Sequence, residues 1–235
     1  YSTINYLFSN MNEQKTIIEQ KISKIIQHLI SVGDRISEES MNSKNYAHLV
    51  SFGEYLSTVL FSSYLNYKNY ESEYITTEKD FIITDDEYSN AFPYLDEQCI
   101  NNIYGKINPY LLKNKIVVVS GFFASNRKGE ITTLGRGGTD FTTTIIAWAI
   151  SKKVNLPASN EMAKETNIPI KCVFWKDVYG FLATNPKYIS HAKLLHTLTL
   201  GEAKELAHFG SKILHPTCLN TVELGNDISV DIRNF

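Results

Sequence analysis

Apolar residues recur every three or four positions over residues 14–32, where Ile17, Ile18, Ile22, Ile25, Ile26, Leu29 and Ile30 form one stripe. That spacing predicts an amphipathic helix, with Gly33 placed to cap its C-terminus. Leu49, Phe52, Leu56, Leu60 and Phe61 predict a second helix over 44–65 with these side chains turned inward. Residues 73–85 read as strand pieces, and 96–112 as a helix ending near Asn114. The pattern then changes to the run Ile116-Val117-Val118-Val119-Ser120, stopped by Gly121. An unbroken β-branched run predicts a strand buried on both faces, as in a parallel sheet covered by helices. A turn-rich stretch at 125–129 precedes a helix from Thr142 to Lys152 carrying Ile145, Ile146, Trp148 and Ala149. Residues 154–168 are polar and irregular; a strand at 170–175, a helix at 200–209 and a strand at 228–232 complete the series. Strands alternating with helices predict an α/β fold, a three-layer α/β/α sandwich around a mainly parallel central sheet. No repeat or linker divides 1–235, and the ligand cleft is expected at the C-terminal ends of the strands.

Charge and composition narrow the function. Of 235 residues, 23 are Lys or Arg and 25 Asp or Glu, a net charge of −2. This balance gives no basic footprint for nucleic acid. The apolar runs are too short to cross a bilayer, so no membrane partner is expected. Three scattered cysteines, Cys99, Cys172 and Cys218, form no C-x-x-C pair, which fits a reducing compartment and a cytoplasmic location. The chain starts at Tyr1, its first methionine is Met11, and it stops at Phe235 just after a strand-like run, so both ends read as cut from something longer.

The densest chemical signal is Thr132-Thr133-Leu134-Gly135-Arg136-Gly137-Gly138-Thr139-Asp140, between a strand and a helix. Clustered glycines let backbone N–H groups approach an anion, and Thr139 or Asp140 can cap the following helix. Arg136 offers a planar fork for a carboxylate. The segment is neither a Walker A loop nor G-x-G-x-x-G, because no Gly-Lys-Ser/Thr closes it and Asp140 stands at the third glycine position. Other polar residues have plain structural readings: Glu54 as a solvated carboxylate, Lys212 as a surface lysine, and His215-Pro216 as a turn. Likewise His208 reads as a helix residue, Cys172 as core, and Thr84-Asp85 as an Asx turn.

This signature resembles that of the aspartate kinases, within the amino acid kinase superfamily. Ser51-Phe52-Gly53-Glu54-Tyr55-Leu56-Ser57 is similar to the family's S-x-G-E-x-L-S helix. Ile83-Thr84-Asp85-Asp86 with Ala91, Gly121-Phe122-Phe123-Ala124, and Lys176-Asp177-Val178-Tyr179-Gly180 follow in family order. So does Glu205-Leu206-Ala207-His208-Phe209-Gly210-Ser211-Lys212-Ile213-Leu214-His215-Pro216. The resemblance implies phosphorylation of the side-chain carboxylate of L-aspartate by ATP with magnesium. It gives Glu54 the substrate ammonium, and Arg136 its α-carboxylate. Gly137, Gly138, Thr139 and Asp140 would line the cleft. Lys176, Asp177, Leu182, Lys187 and Lys212 fall on the nucleotide side, with Asp140 and Lys212 at the reacting group. No protein metal site is implied, and the full-length protein is expected to be a homo-oligomer.

Several positions depart from the family pattern. Its amino-terminal strand and K-F-G-G loop are not in this sequence; Ile4-Asn5-Tyr6-Leu7 resembles the T-N-x-L that follows them. Lys176 replaces a threonine, and Leu182, Asn185 and Lys187 replace an aromatic, an acid and an arginine. Residues 154–168 read as an insertion. The regulatory domains that follow in the family are also missing, and the chain is read as a catalytic domain, alone or fused to homoserine dehydrogenase. The alternatives are a truncated or degenerate kinase that binds without turnover, and another carboxylate kinase such as glutamate 5-kinase.

Overall fold

A computed structural model describes residues 2–8, 12–154, 168–185, 187–189 and 191–235. The expected insertion falls, from 155 to 167, outside the described residues. The chain divides into two compact units, Tyr1–Thr139 and Asp140–Phe235.

The first unit begins with three helices, α1 (Ser2–Leu7), α2 (Asn12–Glu39) and α3 (Ser43–Tyr67). Helix α2 runs through Gly33, so that glycine is not its cap: the apolar stripe continues in Val32 and Ile36, both buried. Their burial outweighs the ~1 kcal/mol that a mid-helix glycine costs relative to alanine. The inward stripe is narrower than the pattern suggested, since Ile17, Ile30 and Phe61 are more than half exposed. Ile25, Val32, Ile36, Phe52 and Val59 form one cluster between α2 and α3. Ile4, Phe8, Ile18 and Ile22 form another, in which Phe8 stands edge-on to Tyr64 and Tyr67, ring centroids 6.0 and 5.2 Å away.

Strand β1 (Ser72–Ile75) precedes β2 (Ile83–Thr84), α4 (Glu97–Leu111), β3 (Ile116–Val119), β4 (Phe123–Asn126) and β5 (Ile131–Thr133). β3 pairs in parallel with β1. It is not buried on both faces: Ile116 is exposed and Val117–Val119 are half-buried. Among the described residues β1 is its only strand neighbour. β2 lies parallel to β4, and β4 turns back antiparallel as β5. The turn-rich stretch therefore starts inside a strand. Asn126 is fully buried in β4, yet its Oδ1 accepts the N–H groups of Lys128 and Glu130 at 3.0 and 2.9 Å.

The second unit holds β6 (Ile170–Lys176), α6 (Leu200–His208), α7 (Pro216–Leu224) and β7 (Ile228–Asn234), after α5 (Gly138–Val154), which starts at the boundary. β6 and β7 are parallel, in register from Ile170↔Ile228 to Lys176↔Asn234. Cys172, Phe174, Phe181, Ala207, Leu214 and Leu219 fill the core. Helix α7 replaces the turn expected at His215-Pro216. His215 is its N-cap and Pro216 its first residue, where the missing proline N–H loses no bond. Helices thus alternate with mainly parallel strands, the α/β class the sequence predicts. Among the described residues no helix is long and apolar enough to cross a membrane.

Candidate functional site

In the first unit the glycine-rich loop is drawn against two neighbouring segments. Gly135 and Gly137 have φ of +71° and +74°, a region that favours glycine. The Leu134 N–H donates to Phe122 O at 2.8 Å, and Gly138 N–H to Gly135 O at 3.1 Å. A Cβ on Gly135 would stand 2.0 Å from Asn90 Oδ1, and one on Gly138 would stand 3.2 Å from Phe122 Cα. One on Gly121 would stand 2.8 Å from Thr139 Cγ2 and 3.0 Å from Thr139 Cα. These contacts require glycine for close approach. Phe122 itself adopts φ +72°, a strained choice for a side chain that the turn at Gly121 enforces.

Glu54 lies midway along α3 and is partly buried. The Thr139 hydroxyl donates to Glu54 Oε1 at 3.4 Å. Burial pushes the Glu54 carboxyl above its usual range, and the Thr139 hydrogen bond pulls it partly back. Arg136, three residues before Thr139, is exposed and forms no ion pair or hydrogen bond with the described residues. The helix thus supplies an anion partly withdrawn from water, and the loop beside it a guanidinium open to a ligand. Thr84 and Asp85 have structural duties. The Thr84 hydroxyl meets that of Thr132 at 2.8 Å, and Asp85 Oδ1 accepts the N–H groups of Glu87 and Phe92.

The second unit carries the other candidates. Asp140 sits in the first turn of α5, which therefore begins at Gly138, before the predicted Thr142. Its Oδ2 accepts from Lys176 Nζ at 2.5 Å, and both side chains are 23% exposed. Lys176 ends β6, where Asn234 Nδ2 donates to its carbonyl at 3.2 Å. Asp177, Lys187 and Lys212 are exposed and form no ion pair among the described residues. Leu182 is half-buried and bridges to Leu194. Cys218 on α7 is fully buried; burial first, and the Asp140 charge second, raise its thiol to about 12. A cavity of about 650 Å³ in this unit is lined by residues including Gly180, Phe181, Leu198, Leu214 and Ile232.

The sequence reading missed three features: Asn90 against Gly135, the strained Phe122, and the Lys176–Asp140 pair. The first is a contact between distant segments and the second a backbone conformation beside Gly121, and the glycines were the only clue to either. The third was signalled by lysine at a position where the family pattern has threonine.

The amino acid kinase family model matches residues 8–156 and 158–234. Aspartokinase 2, chloroplastic, of Arabidopsis thaliana is 33% identical over 228 residues, covering 94% of this chain and 37% of that protein. Lysine-sensitive aspartokinase 3 of Escherichia coli (strain K12) is 29% identical over 206 residues, 86% of this chain and 40% of that protein. The chain thus spans less than half the length of these relatives. The crystal structure of E. coli aspartokinase III in complex with aspartate and ADP (R-state) superimposes with a TM-score of 0.76 at 26% identity, over 93% of this chain and 44% of that one.

Proposed function

The chain belongs to the amino acid kinase family, and on that footing we propose that it forms the catalytic part of an aspartate kinase. The reaction transfers the γ-phosphoryl group of MgATP to the side-chain carboxylate of L-aspartate, giving 4-phospho-L-aspartate and ADP. The observation that carries this reading is the Thr139–Glu54 hydrogen bond, which joins the S-F-G-E helix to the G-R-G-G-T-D loop. Two motifs 85 residues apart meet, with a partly buried carboxylate on one and an exposed guanidinium on the other. The aspartate and ADP held by the E. coli structure, and the names of the relatives, point the same way.

Each residue then has a task. Glu54 receives the α-ammonium and Arg136 the α-carboxylate, which orients the side-chain carboxylate toward the nucleotide. That carboxylate is already an anion, so no base has to remove a proton; its oxygen attacks the γ-phosphorus as the bond to the β-phosphate oxygen breaks. The remaining problem is repulsion between two anions, which backbone N–H groups of the glycine loop and cations such as Lys212 offset by position and charge. Asp177, Leu182 and Lys187 are assigned to the nucleotide side, and magnesium enters as part of the nucleotide substrate. The product serves lysine and threonine synthesis in the cytoplasm, a setting that three buried free thiols suit.

The test is trapping of the acyl phosphate by hydroxylamine, on the full-length protein. Aspartate hydroxamate forming only with MgATP and L-aspartate is the expected result. Nucleotide binding without hydroxamate would establish the binding-only alternative, and a preference for glutamate would move the chain to another carboxylate kinase.

A further inference from the structure

Lys176 and Asp140 raise a question that the proposed reaction leaves open. Lys176 is the last residue of β6, at the C-terminal end of a parallel pair, where α/β sheets place their ligands. Its carbonyl is tied to Asn234 and its ammonium is spent on Asp140 at 2.5 Å. Asp140 also lies in the first turn of a 17-residue helix, whose N-terminus favours a negative charge without any lysine. Both side chains also keep 23% of their surface in water, so the pair is neither sealed in the core nor wholly exposed. An ammonium has three N–H donors, and among the described residues Asp140 is the acceptor that Lys176 Nζ meets. A phosphate group arriving there offers more charge and more acceptor oxygens than one carboxylate.

We propose that Lys176 is a latch on Asp140. In the free protein its ammonium occupies the carboxylate. The phosphates of the nucleotide draw the ammonium away, and Asp140 becomes available at the reacting centre only when nucleotide is bound. Lys176 is thus a positioning residue that couples nucleotide arrival to the exposure of a charge. The inference rests on the reading that the chain takes MgATP, and it adds an order to the events: nucleotide first, then a competent Asp140. No covalent step is involved, only the exchange of one ion pair for another.

The experiment is a double-mutant cycle read by calorimetric titration with ADP on the full-length protein, using Asp140→Asn, Lys176→Thr and their combination. Asp140→Asn removes the competitor for the ammonium. It should tighten ADP binding by about fivefold, as a partly exposed ion pair allows, while lowering turnover. Lys176→Thr should weaken ADP binding about tenfold, and in that background Asp140→Asn should no longer tighten it. Lys176→Arg keeps the cation and should keep the coupling. Equal effects of Asp140→Asn in both backgrounds, or unchanged ADP affinity in Lys176→Thr with only a lower melting temperature, would overturn the latch and leave a structural ion pair. The two failures are distinguishable. Wild-type protein that neither binds ADP nor makes hydroxamate refutes the kinase reading and the latch together, whereas active wild type with an additive cycle refutes the latch alone.

Discussion

Replacing Glu54 by glutamine separates a ligand-binding carboxylate from a structural one, because the two roles predict opposite signs. Glutamine keeps the shape and can still accept the Thr139 hydroxyl, which now donates to Oε1 at 3.4 Å. What disappears is the charge. If that charge receives the substrate ammonium, the loss is a charge-assisted hydrogen bond, about 1.5–3 kcal/mol. At 1.4 kcal/mol per decade this is a rise of roughly 10- to 150-fold in the KM for aspartate. The ammonium is bound alike in ground and transition states, so kcat should move much less and the KM for ATP hardly at all. Stability should move the other way. Burial raises the Glu54 pKa above 4.5, so at neutral pH the fold carries a charge it disfavours. A raised carboxylate loses stability as pH climbs from its unfolded value to its folded one. Glutamine should therefore raise the melting temperature at pH 7, and this gain should vanish below about pH 4. Solvent still reaches the side chain, which keeps the gain below about 1 kcal/mol, or at most about 2–4 °C. Steady-state kinetics with aspartate varied, and calorimetric melting at pH 7 and pH 4, make the comparison. A variant that melts lower with unchanged aspartate KM refutes the assignment, and Glu54 is then a structural residue.

Three further outcomes follow from the same geometry. Gly121→Ala puts a methyl 3.0 Å from Thr139 Cα, so the loop must shift; a loss of about 1–3 kcal/mol in denaturant unfolding is expected, with a raised aspartate KM. Unchanged kinetics would show that the loop does not position Thr139. Arg136→Lys keeps the charge but loses the planar fork, so the aspartate KM should rise about tenfold while the melting temperature stays put, the side chain being exposed. An unchanged KM removes Arg136 from substrate binding. Glu130 is held down to about 2 by Lys44 first, then Tyr88 and Asn126. A depressed carboxylate contributes stability that is complete above its unfolded value near 4.5 and fades as pH falls toward 2. Glu130→Gln should thus melt lower than wild type at pH 7 and converge with it near pH 2; a gap that persists in acid would mean the network does not depend on the charge.

The sequence was most legible where one element's period decides the outcome. The long helices, the β-branched run and the strand at 170–176 declare themselves locally, and the glycines declare close approach before its partners are known. Its limits are just as local. The C-cap at Gly33 failed because tertiary burial of Val32 and Ile36 overrides a propensity of about 1 kcal/mol. The two-faced burial of β3 failed because apolar character shows that a strand can be covered, not how many neighbours cover it. At the site, residue types pointed to Glu54 and Arg136, yet only the folded chain brings Thr139 to Glu54 and Lys176 to Asp140. Pairings across 85 and 36 residues leave no periodic trace in the chain.

The cysteines carry a practical consequence. Cys99 lies in the first unit, Cys172 and Cys218 in the second, all three free and buried, with thiols raised to about 12, 11 and 12. At pH 8 almost none of this sulfur is the reactive thiolate while the chain is folded. A slow alkylating reagent therefore reads opening rather than surface chemistry. Peptide mapping of which sulfur is tagged first would give a native clock for the separate breathing of each half, with no label engineered in.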